Sequence, residues 1–172
     1  MRDQAISPLF WLIAIALTLG GCASDPPPDP TVGHLVCPGE GYGPVRLGMS
    51  REEVVAVLGQ PKLKISPTAY QYAEGFAVVF DRRFRVASVM CGGFCEGDKP
   101  LVERFGGRTA SGIGMGSSTD MVRQCYGDPE RTRTIADDPK LLILEYPKLG
   151  AAFTFRNDRL VHITISKAQA PR

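Results

Sequence analysis

The chain has 172 residues, 20 Lys and Arg against 18 Asp and Glu, and 44% hydrophobic residues. A formal charge of +2 at neutral pH sets up no strong basic field, which excludes nucleic acid as the main partner. His34 and His162 stand at no metal-ligand spacing, so no zinc centre is expected, and nothing in the composition calls for a cofactor.

The amino end is built in three parts. Arg2 and the free amine open it, Leu9 to Leu19 is an apolar run, and Leu19-Gly20-Gly21-Cys22 closes it. That run is too short to cross a bilayer as a helix and reads as an export signal over residues 1–21. The leucine, two glycines and cysteine resemble the bacterial lipobox, which implies cleavage before Cys22 and acylation of its sulfur and new amine. Ala23 and Ser24 follow with no Asp, which by resemblance to sorting in enteric bacteria implies the outer membrane, the folded part facing the periplasm. Residues 22–33 are the lipidated cysteine and a Pro-rich tether, ASDPPPDPTVG after the cysteine, expected to be extended.

Removing residues 1–21 leaves 151, enough for one medium domain or two small ones. In an exported chain the four further cysteines, Cys37, Cys91, Cys95 and Cys125, are expected to form two disulfides, with three connectivities open. The pairing favoured here joins Cys37 to Cys91 and Cys95 to Cys125. The three-residue gap of Cys91-Gly-Gly-Phe-Cys95 does not match a thioredoxin-like redox motif.

From Val45 the chain repeats itself. Residues 45–61 align without a gap on residues 113–129, matching Gly48, Ser50, Val54, Gly59 and Pro61 to Gly116, Ser118, Val122, Gly127 and Pro129. Each copy predicts a short helix. Ser50-x-x-Glu53 is a capping box, Ser117-x-x-Asp120 a weaker one, and Gly59 and Gly127 sit where a helix closes before proline. Val54, Val57 and Leu58 form one apolar face, and Met121, Val122, Cys125 and Tyr126 the other.

Strands are expected over 70–72, 76–80 and 86–90 in the first copy and over 141–146, 151–155 and 160–165 in the second. Hairpins turn at 81–85 and at Asn157-Asp158. Phe153 and Phe155 alternate with Ala152 and Thr154, leaving one sheet face for helices and one for solvent. A further helix is expected over 99–105. The result is an α+β fold of two tandem helix-plus-three-stranded-meander repeats, residues 34–97 and 98–166, then a tail at 167–172. They form one antiparallel sheet with helices on one face.

The motif from Leu47 to Pro61, followed by Tyr70-x-Tyr72, the apolar strand ending at Phe80 and Arg85-Val86, resembles the small outer-membrane lipoprotein family (SmpA/OmlA, BamE-like). Its superfamily includes the β-lactamase-inhibitor-protein fold, built from two such units. The resemblance covers residues 45–90 and 113–165. It implies a lipid-anchored protein-binding or scaffold module, accessory to outer-membrane protein assembly, or, in the tandem form, an inhibitor of a hydrolase. This chain departs in having two copies, four added cysteines and tyrosines where many members carry Trp-x-Tyr. The implied role is therefore binding, without a named partner.

No catalytic constellation is found. The Gly-rich run 111–118 lacks the Lys-Ser/Thr ending of a phosphate loop, and His162 has no nucleophile elbow to serve. No small-molecule substrate is expected, and the chain reads as a non-enzyme. Two contact surfaces are expected. One is a basic edge where Arg82, Arg83 and Arg85 of the first hairpin lie beside Arg156 and Arg159 of the second. The other is the open sheet face of Ala77, Val79, Ala152, Thr154, His162 and Thr164.

Overall fold

The structure, a computed structural model, describes residues 34–92, 95–96, 99–100, 105–136 and 138–170. Cys22, the export signal and the tether lie outside the described residues. In chain order the elements are β1 (Leu35–Cys37), β2 (Gly41–Tyr42), β3 (Val45–Arg46), α1 (Arg51–Leu58), β4 (Leu63–Ser66), β5 (Ala69–Tyr72), β6 (Phe76–Phe80) and β7 (Val86–Gly92). They continue with β8 (Cys95–Glu96), β9 (Lys99–Pro100), β10 (Arg108–Thr109), α2 (Thr119–Tyr126), β11 (Arg131–Ile135), β12 (Asp138–Tyr146), β13 (Ala151–Arg156) and β14 (Arg159–Ser166).

The chain is mostly β, which overturns the α+β expectation. Two helices of eight residues stand against an eight-stranded sheet, β11-β12-β13-β14-β7-β6-β5-β4, and a four-stranded sheet, β10-β1-β2-β3. Neither half is a three-stranded meander. Edge strands β4 and β11 lengthen each to four, because a strand needs main-chain pairing and not apolar alternation to form at an edge. Lys99 and Pro100, expected to open a helix, lie instead in β9, paired with β8. The second sheet joins β1 to β10 in parallel and β1, β2 and β3 in antiparallel order.

Register explains the core. Across six strands Leu144, Phe153, Ile163, Cys91, Phe76 and Tyr72 pair in succession, and Tyr146, Ala151, Ile165, Val89, Val78 and Tyr70 do so one step away. All twelve are buried, as alternate residues sharing one face must be when that face is covered. The four-stranded sheet seats on this face through Tyr42, whose ring centre is 4.8 Å from Phe76 and 4.9 Å from Phe105. A side chain at Gly107 would put its Cβ 2.7 Å from the Tyr42 ring, so only glycine fits there.

The helices contribute less than their apolar patterns suggest. Val54 and Val122 are buried, but Val57 is 47% and Met121 46% exposed, and Cys125 is exposed. They are held mainly at their ends. Ser50 Oγ accepts from the Glu53 N–H and the Ser50 N–H donates to Glu53 Oε2 at 2.6 Å. In α2 the cap is Ser118, one residue later than expected, accepting from the Met121 N–H.

Each hairpin then clasps its helix in the same way. Gly48 N–H donates to Val86 and Val86 N–H to Met49; Gly116 N–H donates to Leu160 and Leu160 N–H to Ser117, all at 2.8 Å. Gly48 and Gly116 take φ of 86° and 87°, a left-handed conformation suited to glycine. Asp158 completes the second clasp, accepting from the Thr119 hydroxyl at 2.7 Å and N–H at 3.0 Å. In the first, the Phe84 carbonyl accepts from the Arg51 N–H, with the Arg51 guanidinium 4.7 Å above the Phe84 ring.

Phe153→Ala is expected to cost about 3–5 kcal/mol in denaturant unfolding, and Val57→Ala less than about 1. The Asp158 carboxyl is held below the usual range by the Thr119 hydroxyl and N–H. A carboxyl depressed on folding stabilises the fold above its unfolded pKa and loses that contribution as pH falls through its folded pKa. Asp158→Asn should therefore lower the thermal midpoint at pH 7, and the difference from the parent chain should close as the pH falls through the folded pKa.

Candidate functional site

Antiparallel register brings most of the expected contact residues onto the outward face of the eight-stranded sheet. One row runs Arg131, Glu145, Ala152, Thr164, Met90, Ala77, Gln71 and Leu63 across all eight strands. A second runs Arg133, Ile143, Thr154, His162 and Gly92. Ala152, Thr154, His162, Thr164 and Val79 are half-buried. Val161 is an extra residue between the paired positions 160 and 162, a bulge that returns Leu160 to the covered face.

The face is not uniformly open. Ala77 is 1% and Gln71 2% exposed, and Gln71 Nε2 has no hydrogen-bond partner among the described residues. His162 is half-buried where a surface histidine was expected, and burial lowers its imidazole pKa. The more accessible part lies over β12–β14. There Arg131 and Arg133 border it, with Arg133 paired to Glu145. Sequence reasoning missed this border because Arg-Thr-Arg-Thr-Ile carries no apolar alternation.

The basic edge does not form. Strand β7 pairs antiparallel with β14, Ser88 opposite Ser166 and Gly92 opposite His162. The start of one strand therefore lies beside the end of the other, and the two hairpin tips point to opposite ends of the sheet. Seven strand residues separate them by roughly 20 Å. Three of the arginines serve the clasps or the sheet. Arg85 donates to the Gly48 carbonyl and Arg159 to the Gly116 carbonyl, both at 3.3 Å, and Arg156 pairs with Asp138 at 2.9 Å. Arg82 and Arg83 are exposed, and their guanidinium groups have no hydrogen bond or ion pair among the described residues.

Cys37, Cys91 and Cys125 are free thiols, so the Cys37–Cys91 bridge is absent and Cys125 is not bridged to Cys95. Cys91 is packed inside the sheet between Phe76 and Ile163, and burial pushes its thiol pKa up. Cys125 is on the solvent side of α2, its thiol 3.9 Å from the Ser111 carbonyl. The side chain of Cys95 lies outside the described residues.

The Gly-rich run closes on itself. Ile113 N–H donates to Thr109 Oγ1, Gly114 N–H to Ser117 Oγ, and Arg108 to the Gly112 carbonyl. These donors are engaged in shaping the turn before α2. Among the described residues no group of three His, Cys, Asp or Glu side chains could hold a metal ion.

No protein-family model matches the chain, and no curated protein does. Two solved structures are similar in outline. A DUF4309-family protein of Bacillus subtilis aligns at 11% identity over 69% of this chain and 78% of its own, with a TM-score of 0.45. A cysteine-rich secretory protein of Staphylococcus aureus aligns at 11% identity over 78% of this chain, with a TM-score of 0.43. This chain spans about half the length of that second protein, 49% of it.

A thiol reagent is expected to modify Cys125 in the native protein and Cys91 only on unfolding. Equal native rates at the two positions would contradict the burial of Cys91.

Proposed function

We propose that the chain is an envelope lipoprotein, anchored in the outer membrane through Cys22, that captures a protein partner on the outward face of its large sheet. One observation carries the reading. Ala152, Thr154, His162 and Thr164 make a half-buried patch of small and polar side chains, bordered by Arg131 and Arg133. Such a patch admits a partner's protruding side chains, and the bordering charges orient the encounter.

The amino-terminal segment supports the anchor. The eleven residues from Ala23 to Gly33 reach about 35 Å if extended, at about 3.1 Å each. A tether of that length keeps the domain near its membrane and raises the effective concentration of partners there. The resemblance to small outer-membrane lipoproteins points the same way, toward an accessory of outer-membrane protein assembly. A partner that proved to be a hydrolase would instead support the inhibitor role that the tandem form implies.

Cys22→Ala should abolish incorporation of labelled fatty acid and leave an unprocessed precursor. A photo-crosslinking residue at Thr154 or Thr164 should give a discrete adduct in intact cells, and one at Val57 should not. Labelling that survives Cys22→Ala would refute the anchor. Adducts from Val57 alone would refute the surface.

A further inference from the structure

Each half of the large sheet ends in an edge strand that begins two residues after the proline following its helix, β4 after Pro61 and β11 after Pro129. The ungapped repeat therefore sets Leu63 and Ile65 against Arg131 and Arg133. An edge strand offers a row of main-chain N–H and C=O groups to any passing chain, and outward charges are a common guard. Strand β11 carries that guard. At the same two positions β4 presents Leu63, 51% exposed, and Ile65, 52% exposed.

A cleft of about 440 Å³ adjoins this edge, lined by Arg51, Glu52, Val55, Gln60, Lys64 and Tyr70. The Lys64 ammonium lies 5.5 Å from the centre of the Tyr70 ring, and the Arg51 guanidinium is 3.4 Å from the Glu52 carboxylate. Two cations face one carboxylate, so the cleft is net positive. Leu63 pairs with Gln71 on the outward side and Lys64 with Tyr70 on the other, so one apolar and one basic side chain take opposite faces ahead of a bulge at Ile65.

We propose that β4 and this cleft bind an extended protein segment whose apolar residues alternate with acidic ones, added to the sheet as an outer strand. The main-chain groups of β4 supply the ladder. Alternate side chains of the added segment cover Leu63, and the intervening carboxylates meet Lys64 and Arg51. Two other occupants fit less well. Antiparallel pairing of two copies about Leu63 or Lys64 sets lysine opposite lysine, through Lys62 and Lys64 or through Lys64 alone, and like charges directly opposite are destabilising. The tether has Pro26, Pro27, Pro28 and Pro30, which have no N–H to give a ladder. The inference rests on the protein-binding reading and adds a second contact of stated chemistry.

The probe is a short capped peptide alternating Glu and Val, added to the folded mature protein, with a Lys/Val peptide of equal length as control. Amide hydrogen exchange at residues 63–66 reads strand addition, and fluorescence anisotropy reads affinity. The Glu/Val peptide should slow exchange at β4. It should bind about tenfold more weakly to Lys64→Glu, and the Lys/Val peptide should be similarly weak on the parent protein. Leu63→Thr with Ile65→Thr, which removes the apolar cover without adding charge, should remove the protection; circular dichroism checks that this exposed double variant stays folded. The proposal is overturned if the two peptides bind alike, if the double threonine variant keeps the protection, or if millimolar Glu/Val peptide leaves β4 exchange unchanged. Adducts at Thr154 without protection of β4 would refute the edge alone. Protection of β4 without such adducts would refute the outward-face reading alone.

Discussion

Five residues of β7, Ser88 to Gly92, pair with five of β14, His162 to Ser166, and so join two four-stranded halves into one sheet. The buried rows depend on that junction. Ile163 opposite Cys91 and Ile165 opposite Val89 carry each row from one half into the other without a gap. A register slip of one residue would turn these side chains outward and break both rows at once. The junction also decides what the outer surface can be, because Thr164 beside Met90 makes one continuous face from two repeats. It separates the hairpin tips as well, so the arginines there cannot act as one charged edge.

Within that frame the duplication is used unequally. The helix-and-hairpin clasp is repeated almost atom for atom, down to the arginine that reaches the carbonyl of the glycine before each helix. The outer strands have diverged instead, one carrying arginines and the other leucine and isoleucine. The shared parts hold the fold, and the differing parts are where the two halves meet solvent or partners. In a sheet whose two ends are unpaired among the described residues, such divergence sets which end can accept another strand.

Much of the interior was legible in the sequence. Strand β6 follows its expected limits, and β13 and β14 alternate as the Phe153–Ala152 pattern implies, apart from the bulge at Val161. Ser50-x-x-Glu53 and the two closing glycines marked the helices because capping is local chemistry. The fold class was misjudged because the apolar stripes of the helices were given too much weight; Val57 and Met121 are largely exposed. Strand β11 and the two-residue strands of the second sheet carry little apolar alternation, and β10 is held by β1, a neighbour distant in the chain. The same holds for the site. Ala152 and Thr154 could be placed on an outward face from alternation alone, but the arginine border depends on the pairing of β11 with β12. The cysteine pairing failed for that reason: an even count says nothing of where β7 buries Cys91.

The continuity of the sheet is tested most directly by native-state hydrogen exchange at the β7–β14 junction. If the two halves form one structure, hydrogen-bonded amides of Ser88–Gly92 and His162–Ser166 should exchange only with global unfolding, at the same free energy as those of β6 and β13. Junction amides that open at a markedly lower free energy, while β6 and β13 stay protected, would show two separately stable halves and contradict a single binding face.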